Sequence, residues 1–169
     1  MSMTIARRGI VALTVLAALA LPASVLAATI NGTAGNDTLP GTSSVDTIHG
    51  LAGSDTIRGY AGADWLYGDA GADLIYGGDG PDHIYGGYGA DRLHGGAGAD
   101  VISGGPGPDA ISGGAGSDTI YGGDGNDVIT VGYDNAKDVV RCGDGWDKVY
   151  AGPTDVVGAS CEKVIRVTN

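Results

Sequence analysis

Residues 77–130 read GGDGPDHIY, GGYGADRLH, GGAGADVIS, GGPGPDAIS, GGAGSDTIY and GGDGNDVIT, which are six nonapeptides in unbroken succession. Each copy opens with a pair of glycines, has an aspartate at its sixth position and an aliphatic residue at its eighth. A short tandem repeat of this kind indicates a solenoid, because each unit can bury its apolar residue only against its neighbours. This repeat therefore decides the fold.

The same register extends towards the N-terminus, so that eleven aspartates follow one another at intervals of nine residues. Scattered surface acids would not keep such a spacing. We refer to these residues as the register aspartates. They are Asp37, Asp46, Asp55, Asp64, Asp73, Asp82, Asp91, Asp100, Asp109, Asp118 and Asp127.

Each nonapeptide reads as one turn followed by one strand. Glycine supplies the backbone angles that the turn at residues 77–82 needs, and His83-Ile84-Tyr85 is a short strand with one side chain pointing inward. Two nonapeptides close one flattened coil, so the predicted fold is an all-β parallel β-roll. The aliphatic residues form two facing ladders inside it, and the turns form two columns along its edges. The predicted ladder residues are Leu39, Ile48, Ile57, Leu66, Ile75, Ile84, Leu93, Ile102, Ile111, Ile120 and Ile129.

The edge columns predict a cation site. Turns one coil apart lie roughly 4.8 Å from each other, so that their carboxylates repel unless a cation lies between them. Calcium fits best, because it accepts six to eight oxygen ligands in flexible geometry. Magnesium requires stricter octahedral geometry and zinc favours His or Cys ligands, which the register does not offer.

The copies at 77–85, 95–103, 113–121 and 122–130 resemble the hemolysin-type (RTX) calcium-binding nonapeptide, G-G-x-G-x-D-x-U-x, and the resemblance covers residues 32–130. It implies a parallel β-roll that holds calcium between successive turns. By this resemblance the register aspartates are side-chain ligands, and the glycine-rich turns supply backbone carbonyls. The turn glycines expected to take part are Gly77, Gly80, Gly86, Gly89, Gly95, Gly98, Gly104, Gly107, Gly113, Gly116, Gly122 and Gly125.

The first five copies depart from this pattern, because the second glycine is replaced in each of them. Thr33, Thr42, Leu51, Tyr60 and Asp69 stand there instead. The copy that contains Ser44 also lacks the later glycine. The six copies at 77–130 are therefore the favoured calcium sites, and eleven turns allow at most nine gaps between turns one coil apart.

Residues 131–169 are predicted to form a C-terminal cap of imperfect coils that follows the roll of residues 28–130. The acid-x-aliphatic pattern continues at Asp138, Asp147, Asp155 and Glu162, while the spacing changes to eleven, nine, eight and seven residues. Cys142 and Cys161 are the two cysteines of the chain, and they fall in the same edge column. A disulfide between them is expected; two free thiols or a metal pair are the alternatives.

Residues 1–27 have the pattern of a signal peptide. Arg7 and Arg8 precede an apolar run, and small residues lead to predicted cleavage after Ala27. A membrane anchor and a twin-arginine signal are the alternatives. Residues 28–169 carry seven Lys and Arg against twenty Asp and Glu, a net charge of −13. This balance disfavours nucleic-acid binding, and no later segment is long and apolar enough to span a membrane.

The histidines do not form a recognisable catalytic motif. His49, His83 and His94 all fall at outward strand positions, and the chain has no H-E-x-x-H zinc motif. The expected function is therefore a secreted calcium-binding protein without catalytic activity, largely disordered until calcium binds.

An aromatic face supports a second hypothesis. Trp65, Tyr67, Tyr85 and Tyr121 fall on one face of the predicted roll. They can serve as a contact strip for a cell-surface glycan or protein, which would make the chain a structural or adhesive surface protein. Ordinary cross-strand packing is the alternative explanation.

Overall fold

The computed structural model describes residues 2–3, 26–132 and 134–167. Of the predicted signal peptide, most residues lie outside this set. The described residues form seventeen strands and no helix. The strands are β1 (Ser2–Met3), β2 (Thr29–Asn31), β3 (Thr38–Pro40), β4 (Thr47–His49), β5 (Thr56–Ala61), β6 (Trp65–Ala70), β7 (Leu74–Asp79), β8 (His83–Tyr88), β9 (Arg92–Ala97), β10 (Val101–Pro106), β11 (Ala110–Ala115), β12 (Thr119–Asp124), β13 (Val128–Thr130), β14 (Val139–Asp144), β15 (Lys148–Ala151), β16 (Val156–Val157) and β17 (Lys163–Arg166).

The strands alternate between two parallel sheets. The even sheet has the order β1-β2-β4-β6-β8-β10-β12-β14-β16, and the odd sheet has the order β17-β15-β13-β11-β9-β7-β5-β3. Each strand therefore pairs with the strand two places further along the chain, as Ile84 pairs with Ile102 and Ile102 with Ile120. This register of eighteen residues confirms the predicted parallel β-solenoid, which has about eight coils.

The core consists of the two aliphatic ladders. All eleven predicted ladder residues are buried, with 0–3% of their surface exposed. Val140 and Val149 continue the ladders into the last coils, and they are buried to the same degree. The parallel pairing also continues into the last coils, where Val149 of β15 pairs with Val164 of β17. The division into a roll of residues 28–130 and a C-terminal cap of residues 131–169 stays a prediction.

The strands are longer than the sequence predicts. From β5 to β12 each strand has six residues instead of three, because the first turn residues of the next repeat also pair with the coils on either side. Gly78 pairs with Gly96, and Asp79 with Ala97, in the same ladder as Ile75 and Leu93. The backbone of the turn is therefore hydrogen-bonded from coil to coil.

The disulfide is present between Cys142 and Cys161, whose Cα atoms lie 5.2 Å apart. It links the end of β14 to the segment before β17, and both half-cystines are buried. Cys142 takes the place of a repeat glycine, since its carbonyl stacks on Gly122 as the glycine carbonyls do elsewhere. Arg166 also closes the last coil by donating to the carbonyl oxygens of Gly152 and Asp155, at 2.6 and 3.1 Å.

We predict that the Cys142→Ser/Cys161→Ser double variant loses about 3 kcal/mol of unfolding free energy, because the bridge closes a loop of nineteen residues. Urea denaturation with and without a reducing agent measures the loss. The double variant should not respond to the reductant. A wild-type midpoint that does not respond either would contradict the prediction.

From the third copy onward, the second position of the repeat has a positive φ, which most side chains resist. Gly78 has φ +118°, and in earlier copies Leu51, Tyr60 and Asp69 adopt φ of 77°, 78° and 69° at the same position. A non-glycine residue in this left-handed region costs about 1–2 kcal/mol. The third, fourth and fifth copies therefore contain strain that the later copies avoid.

We predict that Tyr60→Gly raises the unfolding free energy by about 0.5–1 kcal/mol, because relief of this strain exceeds the added entropy of the unfolded chain. Gly78→Ala at the paired position of the next coil is the opposite test. Its new Cβ would collide with the backbone of Tyr60, so a loss above about 1 kcal/mol is expected. Chemical denaturation in one buffer compares both variants, and destabilisation by Tyr60→Gly would refute the explanation.

Candidate metal centre

The register aspartates form two buried columns, one along each edge of the roll. Each aspartate stands one residue before a strand, and the eleven have between 0 and 8% of their surface exposed. Asp138, Asp147 and Asp155 continue the columns and are equally buried. The even-sheet column contains Asp46, Asp64, Asp82, Asp100, Asp118, Asp138 and Asp155. The odd-sheet column contains Asp37, Asp55, Asp73, Asp91, Asp109, Asp127 and Asp147.

From Asp46 onward, Oδ1 of each column aspartate belongs to a hydrogen-bond ladder. The backbone N–H of Asp82 donates to Oδ1 of Asp100 at 2.8 Å, and that of Asp100 donates to Oδ1 of Asp118 at 2.9 Å. The same bond recurs along both columns. An amide that donates to a carboxylate makes a strong, charge-assisted bond, so each aspartate from Asp46 onward joins its own coil to the preceding coil.

The second carboxylate oxygen is buried and has no hydrogen-bond partner in eleven of these residues. A buried oxygen that carries charge and lacks a partner is strongly unfavourable, and in a native protein it indicates an ion or a proton. The aspartates with such an Oδ2 are Asp55, Asp64, Asp73, Asp82, Asp91, Asp100, Asp109, Asp118, Asp127, Asp138 and Asp147.

A backbone carbonyl approaches each of these free oxygens wherever the nine-residue spacing holds. A Cβ added to Gly77 would collide with Oδ2 of Asp82 and with the carbonyl oxygen of Gly95, which belongs to the next coil. The two oxygens thus face the same small space. The arrangement recurs at Gly86, where Asp91 and Gly104 supply the oxygens. At Gly113 the spacing to the next coil is longer. A Cβ added there would meet Oδ2 of Asp118 and a methyl group of Ile120.

Burial raises the pKa values of the column carboxyls from Asp55 to Asp138. The pKa of Asp109 and of Asp118 rises to about 7, and that of Asp82 and of Asp100 to about 6. Loss of hydration is the largest cause, the bonded amide of the preceding aspartate opposes it, and the neighbouring carboxylates add to it. Without a cation, the ionised columns therefore destabilise the folded roll.

The ligand set must combine side chains with backbone. Among the described residues, no three His, Cys, Asp or Glu side chains form a group that could hold a metal ion. Carboxylate Oδ2 atoms and turn carbonyls are what the geometry offers, and both are the hard oxygen donors that calcium prefers. The columns therefore fit calcium, and they do not offer the nitrogen or sulfur ligands that zinc favours.

The predicted turn glycines occupy two different places. The first glycine of each copy, such as Gly77 or Gly95, lies against Oδ2 of its own aspartate. The later glycine, such as Gly80 or Gly98, has a positive φ and stacks on the turn of the preceding coil. The acids in the last coils belong to the acid-x-aliphatic pattern, and the nonapeptide resemblance does not include them among the ligands. Asp138 and Asp147 nevertheless have the same free oxygen, and their acid-x-aliphatic spacing is the signal that could have identified them.

The aromatic face of the even sheet consists mainly of rings that stack on one another. The rings of Tyr67 and Tyr85 are 5.0 Å apart, those of His49 and Tyr67 are 4.4 Å apart, and those of Trp65 and His83 are 4.1 Å apart. Their planes are within 13° of parallel. Each stacked pair hides one face of both rings, as expected of cross-strand packing.

Tyr121 lies apart from this stack. Ser103 occupies the strand between Tyr85 and Tyr121, and Tyr121 contacts Arg141 instead. In the odd sheet, His94 stacks on Tyr76 at 4.9 Å. His49 contacts Asp69 through Nδ1 at 3.3 Å. The described contacts of the histidines are thus made with rings and with one exposed carboxylate.

We predict that the metal-free protein gains stability as the pH falls from about 8 to about 5. The pKa of the buried carboxyls from Asp55 to Asp138 is higher in the folded than in the unfolded chain, so the folded state binds more protons in this range. The stabilisation is present at low pH and is lost as the pH rises through about 7. Far-UV circular dichroism in EDTA measures it. Asp109→Asn with Asp118→Asn should flatten the curve, whereas exposed Asp124→Asn should not; greater unfolding at the lower pH would contradict the prediction.

The comparisons agree with this geometry. The family model of the RTX calcium-binding nonapeptide repeat (4 copies) matches residues 27–39, 40–75, 67–102, 76–110 and 103–135. No curated protein matches the chain significantly. Within the described part of the chain, no helix is long and apolar enough to cross a membrane. Because the family matches cover residues 27–135 of the 169, the chain belongs to the RTX calcium-binding nonapeptide repeat family.

Proposed function

We propose that this protein is an exported calcium-binding protein whose parallel β-roll folds when calcium fills the two aspartate columns. The observation that carries the proposal is the set of eleven buried Oδ2 atoms that have no hydrogen-bond partner. Calcium-binding repeats and a β-solenoid are shown for this chain, and the free oxygens supply a physical reason for the ion.

Each ion would lie between two turns of one column. For the turn that ends at Asp82, the proposed ligands are Oδ2 of Asp82 and the carbonyl of Gly95 in the next coil, with further oxygens from the glycine turns or water. Bound calcium would supply positive charge to a row of carboxylates that otherwise repel one another. The chain itself contributes the register, because the amide-to-Oδ1 ladder holds each carboxylate in place.

The ion would couple to folding through the same residues. The unfolded chain has hydrated carboxylates and many glycines, and ordering it costs both hydration and backbone entropy. A ligand that binds only the folded roll offsets this cost by mass action. Extracellular calcium modules bind in the range of about 10⁻⁴–10⁻³ M, which matches a protein that remains unfolded until it leaves the cell.

Export is proposed from three features. Residues 1–27 have the pattern of a cleavable signal, the family is typically extracellular, and a disulfide joins Cys142 to Cys161. Absence of catalytic activity is part of the proposal and remains a prediction. The adhesive hypothesis also remains a prediction, and the mutual stacking of Tyr67 and Tyr85 favours a packing role for those rings.

We predict that calcium converts the purified protein from a largely disordered chain in EDTA to a strand-rich one, whereas the same concentration of magnesium does not. Far-UV circular dichroism follows the titration.

Asp100→Asn removes a buried ligand and should raise the calcium midpoint at least about tenfold, since a lost bond to charge is worth about 1.5–3 kcal/mol.

The matched control is Asp124→Asn, which removes the same charge from an exposed turn position and should leave the midpoint nearly unchanged. A wild-type spectrum that is already rich in strands in EDTA and does not change with calcium would refute the proposed function. Equal shifts in the two variants would show that net charge, rather than the columns, binds the ion.

A further inference from the structure

The first two register aspartates differ from those that follow, because their Oδ2 atoms have partners. Oδ2 of Asp37 accepts from the backbone N–H of Thr33 at 2.6 Å and from its hydroxyl at 2.9 Å. Oδ2 of Asp46 accepts from the N–H and the hydroxyl of Thr42 at the same two distances. Each of these carboxylates is therefore satisfied by one residue of its own turn.

The identity of the residue four positions before the aspartate explains the difference. Thr33 and Thr42 are not among the residues with positive φ, and β-branched side chains resist that region. From Leu51 to Gly123 the same position has a positive φ and no threonine, and Oδ2 of the matching aspartate is without a partner. The hydroxyl of each threonine also accepts an N–H within its turn, from Gly35 at 3.2 Å and from Ser44 at 3.1 Å.

The last aspartate of the columns is satisfied in a similar way. Oδ2 of Asp155 accepts from the backbone N–H of Gly152 at 2.6 Å. The carboxylates with a bonded Oδ2 thus stand at the two ends of the roll, and those with a free Oδ2 lie between them. Strands β3 and β16, which follow Asp37 and Asp155, lie at the edges of their sheets and are paired on one side only, so a self-satisfied turn suits those two places.

We propose that Thr33 and Thr42 take the place of calcium in the first two turns, so that these turns bind no ion and form a built-in N-terminal cap. The ions of the two columns then begin at Asp55 and Asp64. The inference rests on the proposed calcium binding and assigns which turns take part in it. Two donors from threonine occupy the oxygen that an ion would need, and an ion would have to break both bonds to bind.

Counting bound calcium by native mass spectrometry at saturating calcium tests the assignment. Asp37→Asn with Asp46→Asn should bind as many ions as the wild type. The matched central pair, Asp91→Asn with Asp100→Asn, should bind at least two fewer, because both residues have a free Oδ2. Circular dichroism on the same samples verifies that each variant is folded.

The outcomes separate this inference from the proposed function. A wild-type protein that binds no calcium would refute the function itself. A wild type that binds calcium, with an N-terminal pair that loses as many ions as the central pair, would refute only the assignment of the first two turns.

A variant that gains a calcium site provides a second test, which does not depend on the loss of bound ions. Thr33→Gly makes the first turn read G-G-A-G-N-D, like the later copies, and removes the hydroxyl that bonds Asp37. It should add one calcium ion to the count. Thr33→Ser keeps a hydroxyl and should leave the count unchanged. An unchanged count in Thr33→Gly would show that threonine does not exclude the ion.

Discussion

The burial of one carboxylate per turn is the constraint on which the rest of this structure depends. From Asp46 onward, each register aspartate uses Oδ1 to accept a backbone N–H of the preceding coil, and this bond keeps successive coils in register. The second oxygen is then enclosed together with the first. A fold that buries eleven such oxygens without partners is stable only if a cation or a proton accompanies them.

Glycine follows from the same constraint. The first glycine of a repeat leaves the space in which Oδ2 of its aspartate meets a carbonyl of the next coil, and any side chain at Gly77 would fill it. The later glycine adopts positive φ so that the turn reverses within a few residues, as at Gly80 with φ +118°. These two requirements explain a composition with 33 glycines and no phenylalanine, in which the core is a pair of aliphatic ladders.

Much of the architecture could be predicted from the sequence, because two nonapeptides of the repeat make one coil of the roll. The nine-residue spacing of Asp82, Asp91 and Asp100 predicts the two columns. The positions of Ile84 and Leu93 in the repeat predict that these side chains face inward, and both are buried. The cysteine pair was placed in one edge column by the weaker repeat that follows, and the disulfide confirms it. Local patterns of this kind survive irregular spacing because each coil needs only its neighbours.

Other features depend on backbone geometry that a periodic pattern does not report. The strands continue through the turns because Gly78 and Gly96 pair across coils. No residue type at these positions predicts that pairing. Likewise, the missing glycine at Thr33 indicated a weak site, whereas the two hydrogen bonds that replace the ion depend on the turn that threonine adopts. The sequence shows in which copies the second glycine is replaced. The structure shows that the threonines of the first two copies donate hydrogen bonds to Oδ2 of their aspartates.

Calcium binding by this roll depends on one atom of each register aspartate, Oδ2, and it can be tested at that atom. A crystal structure of the protein grown in calcium, with anomalous scattering to identify the ions, is the most direct measurement. The account predicts calcium within about 2.3–2.6 Å of the free Oδ2 atoms between Asp55 and Asp127, with carbonyls of the next coil as further ligands. Columns that hold only water or protonated carboxyls in saturating calcium would contradict it.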